Sequence, residues 1–158
     1  MTDAGPSARP SHVATLRARV EAVVERAWAR AIAGGTLPAL PDDAPRPAIE
    51  LARPTHTEYG DFATNLAMKL ARPCRMAPLA IASALAAAIE AESRSGTDAS
   101  GVVASAKVAP PGFLNLRLAD AALEESVAGI LAAPAGWGRM AAVKPLRINV
   151  EFVSANPT

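Results

Sequence analysis

From Leu16 onward, apolar residues recur at three- and four-residue intervals. Leu16, Val20, Val23, Ala27 and Ala31 make one stripe, widened by Val24 and Trp28. That spacing predicts an amphipathic helix, because one turn takes about 3.6 residues. Ser11 is read as its N-cap and Gly34-Gly35 as its stop. Arg19, Arg26 and Arg30 fall on its outer face, as a solvated surface or as phosphate contacts. Residues 1–10 carry no periodicity and read as a flexible leader.

Residues 36–47 are rich in Pro and Asp and read as a loop. AIELA (48–52) reads as a short strand. In RPTHTEYGDFATNLAMKLAR (53–72), Gly60 supplies a turn. Asp61 is placed to cap a helix carrying Ala63, Leu66, Ala67 and Leu70 inward. Pro73 and Pro78 separate it from a second helix, in which Pro78 suits the first turn. Leu79, Ala82, Leu85, Ala86 and Ile89 mark the inner face of that helix, which ends near Arg94.

VVASAKVA (102–109) and FLNLRL (113–118) read as strands joined by a tight PPG turn (110–112). Asp120 caps a further helix through about Ala132. A loop with PAGWG follows, and LRINVEFV (146–153) is a last strand. The order α-β-α-α-β-β-α-β predicts an α+β fold, with helices on one face of a small, mainly antiparallel sheet. The expected organisation is a leader (1–10), a domain (11–133), a linker (134–145) and the beginning of a second unit (146–158).

FLNLRL carries two messages. Alternate side chains of a strand point to opposite faces. Leu114, Leu116 and Leu118 therefore share the core side, while Phe113, Asn115 and Arg117 share the other. A ring, an amide and a guanidinium in a row suit an unstacked nucleotide, through stacking, edge readout and phosphate contact. Lys107 on the adjoining strand adds charge. The competing reading places Phe113 under a neighbouring helix and leaves Asn115 and Arg117 merely wet.

Composition narrows the classes. With 16 Lys+Arg against 15 Asp+Glu, the net charge is +1, so any polyanion must meet a local patch. One cysteine, Cys74, excludes an intrachain disulfide and fits a reducing cytoplasm. Two histidines and that cysteine are too thin a supply for a structural zinc site. No apolar run approaches the roughly 20 residues of a membrane span. His56, Glu58 and Asp61 lie close together in THTEYGD, but a lone His beside two acids is common on a loop surface. No phosphate-loop, dinucleotide or nucleophile-elbow motif is present. Cys74 reads as buried filler.

Three segments, in order, resemble the N-terminal part of the arginyl-tRNA synthetases, which are class I enzymes. YGDFATNLAMKLAR (59–72) is similar to the family's Gly-Asp-aromatic-x-x-Asn segment. VAPPGFLNLRL (108–118) is similar to its Gly-Phe-[Ile/Leu]-Asn strand. INVEFVSANPT (148–158) resembles the approach to its first catalytic signature, which continues in the family as Gly-Pro-Leu-His-Val-Gly-His. The resemblance implies an N-terminal fragment ending just before the His-x-Gly-His element. It would hold the family's additional domain and the first strand of the catalytic nucleotide-binding domain.

The resemblance further implies that the whole enzyme joins L-arginine to tRNA(Arg), using ATP with Mg through an arginyl-adenylate. The additional domain contacts the D-loop and elbow of the tRNA. Base contact falls on Phe113 and Asn115, with Arg117 and Lys107 beside them. Where some relatives carry a polar residue before Gly-Phe, this chain has Pro110 and Pro111, which offer no side-chain donor. Arginine binding falls on Glu151, Ser154 and Asn156, and the signature begins at Ala155, Asn156, Pro157 and Thr158. The expectation is a cytoplasmic monomer with no membrane or metal partner, and no catalytic residue or bound cofactor within 1–158. Aminoacylation or ATP–pyrophosphate exchange by the fragment alone is not expected. A stand-alone α+β RNA-binding or interaction module is the alternative, and a ligand-free structural domain is a third reading.

Overall fold

The computed structural model describes residues 15–94 and 101–137, with Arg147 and Asn149. The expected leader and the expected strand 146–153 lie outside the described residues, apart from those two.

Helix α1 spans Leu16–Ala33. Its cap is Thr15, whose side chain accepts a hydrogen bond from the Ala18 N–H at 3.2 Å. The expected cap, Ser11, lies outside the described residues. The N–H of Gly34 closes the far end on the Arg30 carbonyl at 2.8 Å. The stripe is inward as the spacing requires: Val20, Val23, Val24, Ala27, Trp28 and Ala31 are all buried.

AIELA does not form a strand. It leaves one antiparallel bridge, Ala52 to Ala63. Pro45, Pro47 and Pro54 flank the segment, and a proline cannot donate to a ladder. Strand β1 is instead Phe62–Thr64, residues expected in the following helix. Phe62 and Thr64 point into the core and are buried. Asp61 is not a helix cap. Its N–H donates to the Leu116 carbonyl, and its Oδ2 accepts from the Leu118 N–H, both at 2.8 Å. Pairing with a distant strand has overridden local helix preference.

Helix α2 (Leu66–Cys74) follows Asn65 and contains Pro73 rather than stopping before it. The chain leaves α2 through Arg75 in the left-handed region. Cys74 is buried, and desolvation raises its thiol pKa above the ordinary value. A polar thiol reagent at pH 7–8 is expected to modify Cys74 slowly in the folded chain and fully in urea. Rapid stoichiometric labelling of the native chain would contradict this.

Helix α3 (Pro78–Arg94) starts on Pro78 as expected. Ile81, Ala82, Leu85, Ala86 and Ile89 are buried, but Leu79 is exposed. Ile81, Leu85 and Ile89 are four residues apart and stack on one row. Leu79 sits about 200° around the helix from Ile81.

Strands β2 (Val103–Ala109) and β3 (Phe113–Leu118) are joined by the 110–112 turn, whose Pro110–Pro111 bond is cis. Helix α4 covers Asp120–Ala132. Asp120 is its first residue rather than its cap, where its charge favours the helix N-terminus. A short 3-10 turn, Pro134–Gly136, lies in the expected loop.

The sheet order is β1-β3-β2, with both pairings antiparallel. Helices α2 and α3 cover one face, and α1 packs on α3. This is the expected α+β arrangement. The Arg26–Glu92 ion pair, at 2.7 Å with Glu92 3% exposed, joins α1 to α3. Arg19 reaches Glu125 of α4 at 2.8 Å. Two of the three outer arginines of α1 therefore serve internal ion pairs.

Candidate nucleic-acid interface

The site is the sheet face that the helices leave open, and the alternation of β3 creates it. Leu114, Leu116 and Leu118 are buried among the helices. Phe113 is 39% exposed, Arg117 is exposed and Asn115 is half-buried. The covered-phenyl reading is thus not what the structure shows.

Register sets the neighbours. Lys107 of β2 and Ala63 of β1 both lie opposite Asn115, while Ser105 lies opposite Arg117 and Ala109 opposite Phe113. Lys107 and Arg117 are therefore diagonal neighbours on one face, about 7–8 Å apart by sheet geometry. Neither forms an ion pair among the described residues. Arg19, Arg26, Arg46 and Lys69 do, with Glu125, Glu92, Glu25 and Glu50. The outer face thus carries two cations, Lys107 and Arg117, without an ion-pair partner among the described residues.

A shallow depression of about 330 Å³ lies on this face. Glu58, Tyr59, Ser105, Lys107, Asn115 and Arg117 line it. Phe113 lies further along β3, outside the lining. Sequence reasoning missed Tyr59, which is 47% exposed. The available signal was a ring immediately before Gly-Asp in a chain with only 4% aromatics.

The mount of Tyr59 is well defined. It closes a 3-10 turn (Thr57–Tyr59), with its N–H on the His56 carbonyl at 3.1 Å. The His56 ring meets it edge-on, with centroids 5.9 Å apart. Gly60 then turns the chain at φ 93°, and Asp61 clips it to β3. His56 and Asp61 are thus engaged with Tyr59 and β3. Among the described residues, no group of three metal-ligand side chains comes together.

Glu151, Ser154, Asn156 and the segment Ala155–Thr158 lie outside the described residues. Among those described, no single helix is long and apolar enough to cross a membrane.

Comparison with known proteins bears on the same elements. Residues 15–118, from α1 through β3, match the family model of the arginyl tRNA synthetase N terminal domain. An arginine–tRNA ligase of Gloeobacter violaceus is 39% identical over 144 residues, covering 91% of this chain and 22% of its own length. That of Novosphingobium aromaticivorans is 42% identical over 143 residues, covering 90% and 23%. That of Cereibacter sphaeroides is 46% identical over 111 residues, covering 70% and 18%. The chain spans less than a quarter of the length of these relatives. Because the match takes in every strand and helix that builds the exposed face up to β3, the chain belongs to the arginyl tRNA synthetase N-terminal domain family.

Proposed function

We propose that this chain is the tRNA-contacting N-terminal part of an arginine–tRNA ligase. The complete enzyme attaches L-arginine to tRNA(Arg) with ATP and Mg, through arginyl-adenylate. This domain docks on the D-loop and elbow of the tRNA and helps position it. The enzyme acts as a cytoplasmic monomer. Glu151, Ser154 and Asn156 are assigned to arginine binding, and Ala155 through Thr158 to the approach to the ATP-binding signature.

One observation carries the tRNA reading. Every second residue of β3 is sealed in the core, and the residues between them present a ring, an amide and a guanidinium that has no ion-pair partner among the described residues. A packing role explains the leucines. It does not explain Phe113 being exposed beside Asn115, with Lys107 and Arg117 on the same face and without ion pairs among the described residues. An unpaired base supplies the missing partner, stacking on the ring while its phosphates meet the cations.

Phe113→Ala tests the reading. Base–aromatic stacking is worth about 1–3 kcal/mol, so affinity for a tRNA(Arg) transcript should fall by roughly 5- to 150-fold. Thermal stability should fall only modestly, because the ring is partly covered but not among the buried core residues. Gel-shift titration and a melting curve measure both. Unchanged affinity with an intact fold would remove Phe113 from the interface.

A further inference from the structure

We infer that the depression beside Tyr59 is a second nucleotide subsite, so that the outer face takes two successive unpaired nucleotides rather than one. This rests on the reading of that face as a tRNA interface. The first subsite is Phe113 with Asn115. The second has Tyr59 as its wall and Lys107 and Arg117 as its phosphate contacts.

The two exposed rings stand at different levels of β3. Phe113 begins the strand, whereas the Tyr59 turn is clipped at Leu116 by the Asp61 N–H. Three residues of strand separate these levels, roughly 10 Å at about 3.4 Å per residue. Phe113 is not among the residues that line the depression walled by Tyr59, so a base lying flat on Phe113 need not cover Tyr59. Asn115 lies between the two and lines the depression, so its amide can meet either base.

Charge agrees with this placement. Lys107 and Arg117 both line the depression, as diagonal neighbours without ion pairs among the described residues. They are placed to hold the phosphate that links two bases splayed to either side of Asn115. Glu58 on the rim offers a carboxylate to a base amino group, and it disfavours a phosphate on its own side. At about 330 Å³, the depression has room for a base with its sugar. The fold also holds Tyr59 in place, through the Gly60 turn and the His56 ring, although the hydrophobic core makes no use of its side chain.

The test uses the 158-residue chain and tRNA(Arg) transcripts carrying an abasic residue at each unpaired D-loop position in turn. Tyr59→Ala should weaken binding of the intact transcript about tenfold, and Tyr59→Phe should retain it. Tyr59→Leu keeps the bulk without the ring and should behave like Tyr59→Ala, which guards against a folding defect. One abasic position should erase the effect of Phe113→Ala, and its neighbour should erase that of Tyr59→Ala. Removing Lys107 or Arg117 should each lower the slope of log affinity against log salt by about 0.7.

If Tyr59→Ala binds normally while Phe113→Ala is weakened, the interface stands and the second subsite falls. If one abasic position erases both effects, a single base touches both rings and the two-nucleotide reading is overturned. Normal binding by both variants, or no binding by the parent chain, overturns the interface reading itself.

Discussion

Gly60→Ala should destabilise the chain by about 3 kcal/mol and disable the proposed tRNA interface. Gly60 has φ 93° and ψ −163°, a region populated almost only by glycine, and forcing another residue there costs about 1–3 kcal/mol. Sterics add to this. A Cβ at position 60 would lie 2.6 Å from the Leu116 carbonyl oxygen and 3.0 Å from its carbon. That carbonyl cannot readily move, since it accepts the Asp61 N–H and belongs to a residue with no exposed surface. The strain is relieved by shifting the 57–60 turn, which carries Tyr59 and Glu58 away from the depression. Urea unfolding measures the first effect and tRNA binding the second. Gly35→Ala is the control. Gly35 has φ 71°, but a Cβ there meets nothing within 4 Å, so it should cost only about 1 kcal/mol. Equal midpoints for the two variants would show that the contact with Leu116 carries no weight.

Trp28→Ala should cost about 3–5 kcal/mol, the range for removing a large aromatic from a core. Trp28 has no exposed surface and lies among the apolar residues of α1. The Arg46 guanidinium lies 4.1 Å from its ring centroid, held there by an ion pair with Glu25. The 36–47 loop is thus pinned to α1 through this ring. Trp28→Phe should cost much less, because the indole Nε1 forms no hydrogen bond among the described residues. Denaturant midpoints measure both variants. A loss under 1 kcal/mol for Trp28→Ala would mean that the cavity collapses or that the ring is not central. Per folded molecule, tRNA affinity should stay at the parent value, since Trp28 is remote from the β3 face in sequence and sits on α1.

Much of this architecture is legible locally. Helices α1 and α3 follow from three- and four-residue spacing, and β3 follows from strict alternation, which also separates Leu114, Leu116 and Leu118 from Phe113, Asn115 and Arg117. These patterns are intrinsic to one element and need no partner. Strand β1 was not legible. Phe62–Thr64 is too short to show a period, and its conformation comes from pairing with β3 residues fifty or more positions away and from the bridge to Ala52. Asp61 looked like a cap because a carboxylate before an apolar run usually is one, but the nearest donor in space is the Leu118 N–H. The roles of Arg19 and Arg26 were hidden in the same way, since Glu125 and Glu92 lie on other helices.

By itself, the order of residues determined which side of β3 faces the core and which faces water, because backbone geometry makes neighbours alternate. Only the folded chain decided what stands beside that open side. Tyr59, Lys107 and Arg117 meet through the antiparallel register of three strands and the Gly60 turn. The β2–β3 hairpin that joins Lys107 to Arg117 is local, but the pairing of β1 with β3 that brings Tyr59 to them is long-range, and its energy depends on contacts that no local stretch of sequence contains.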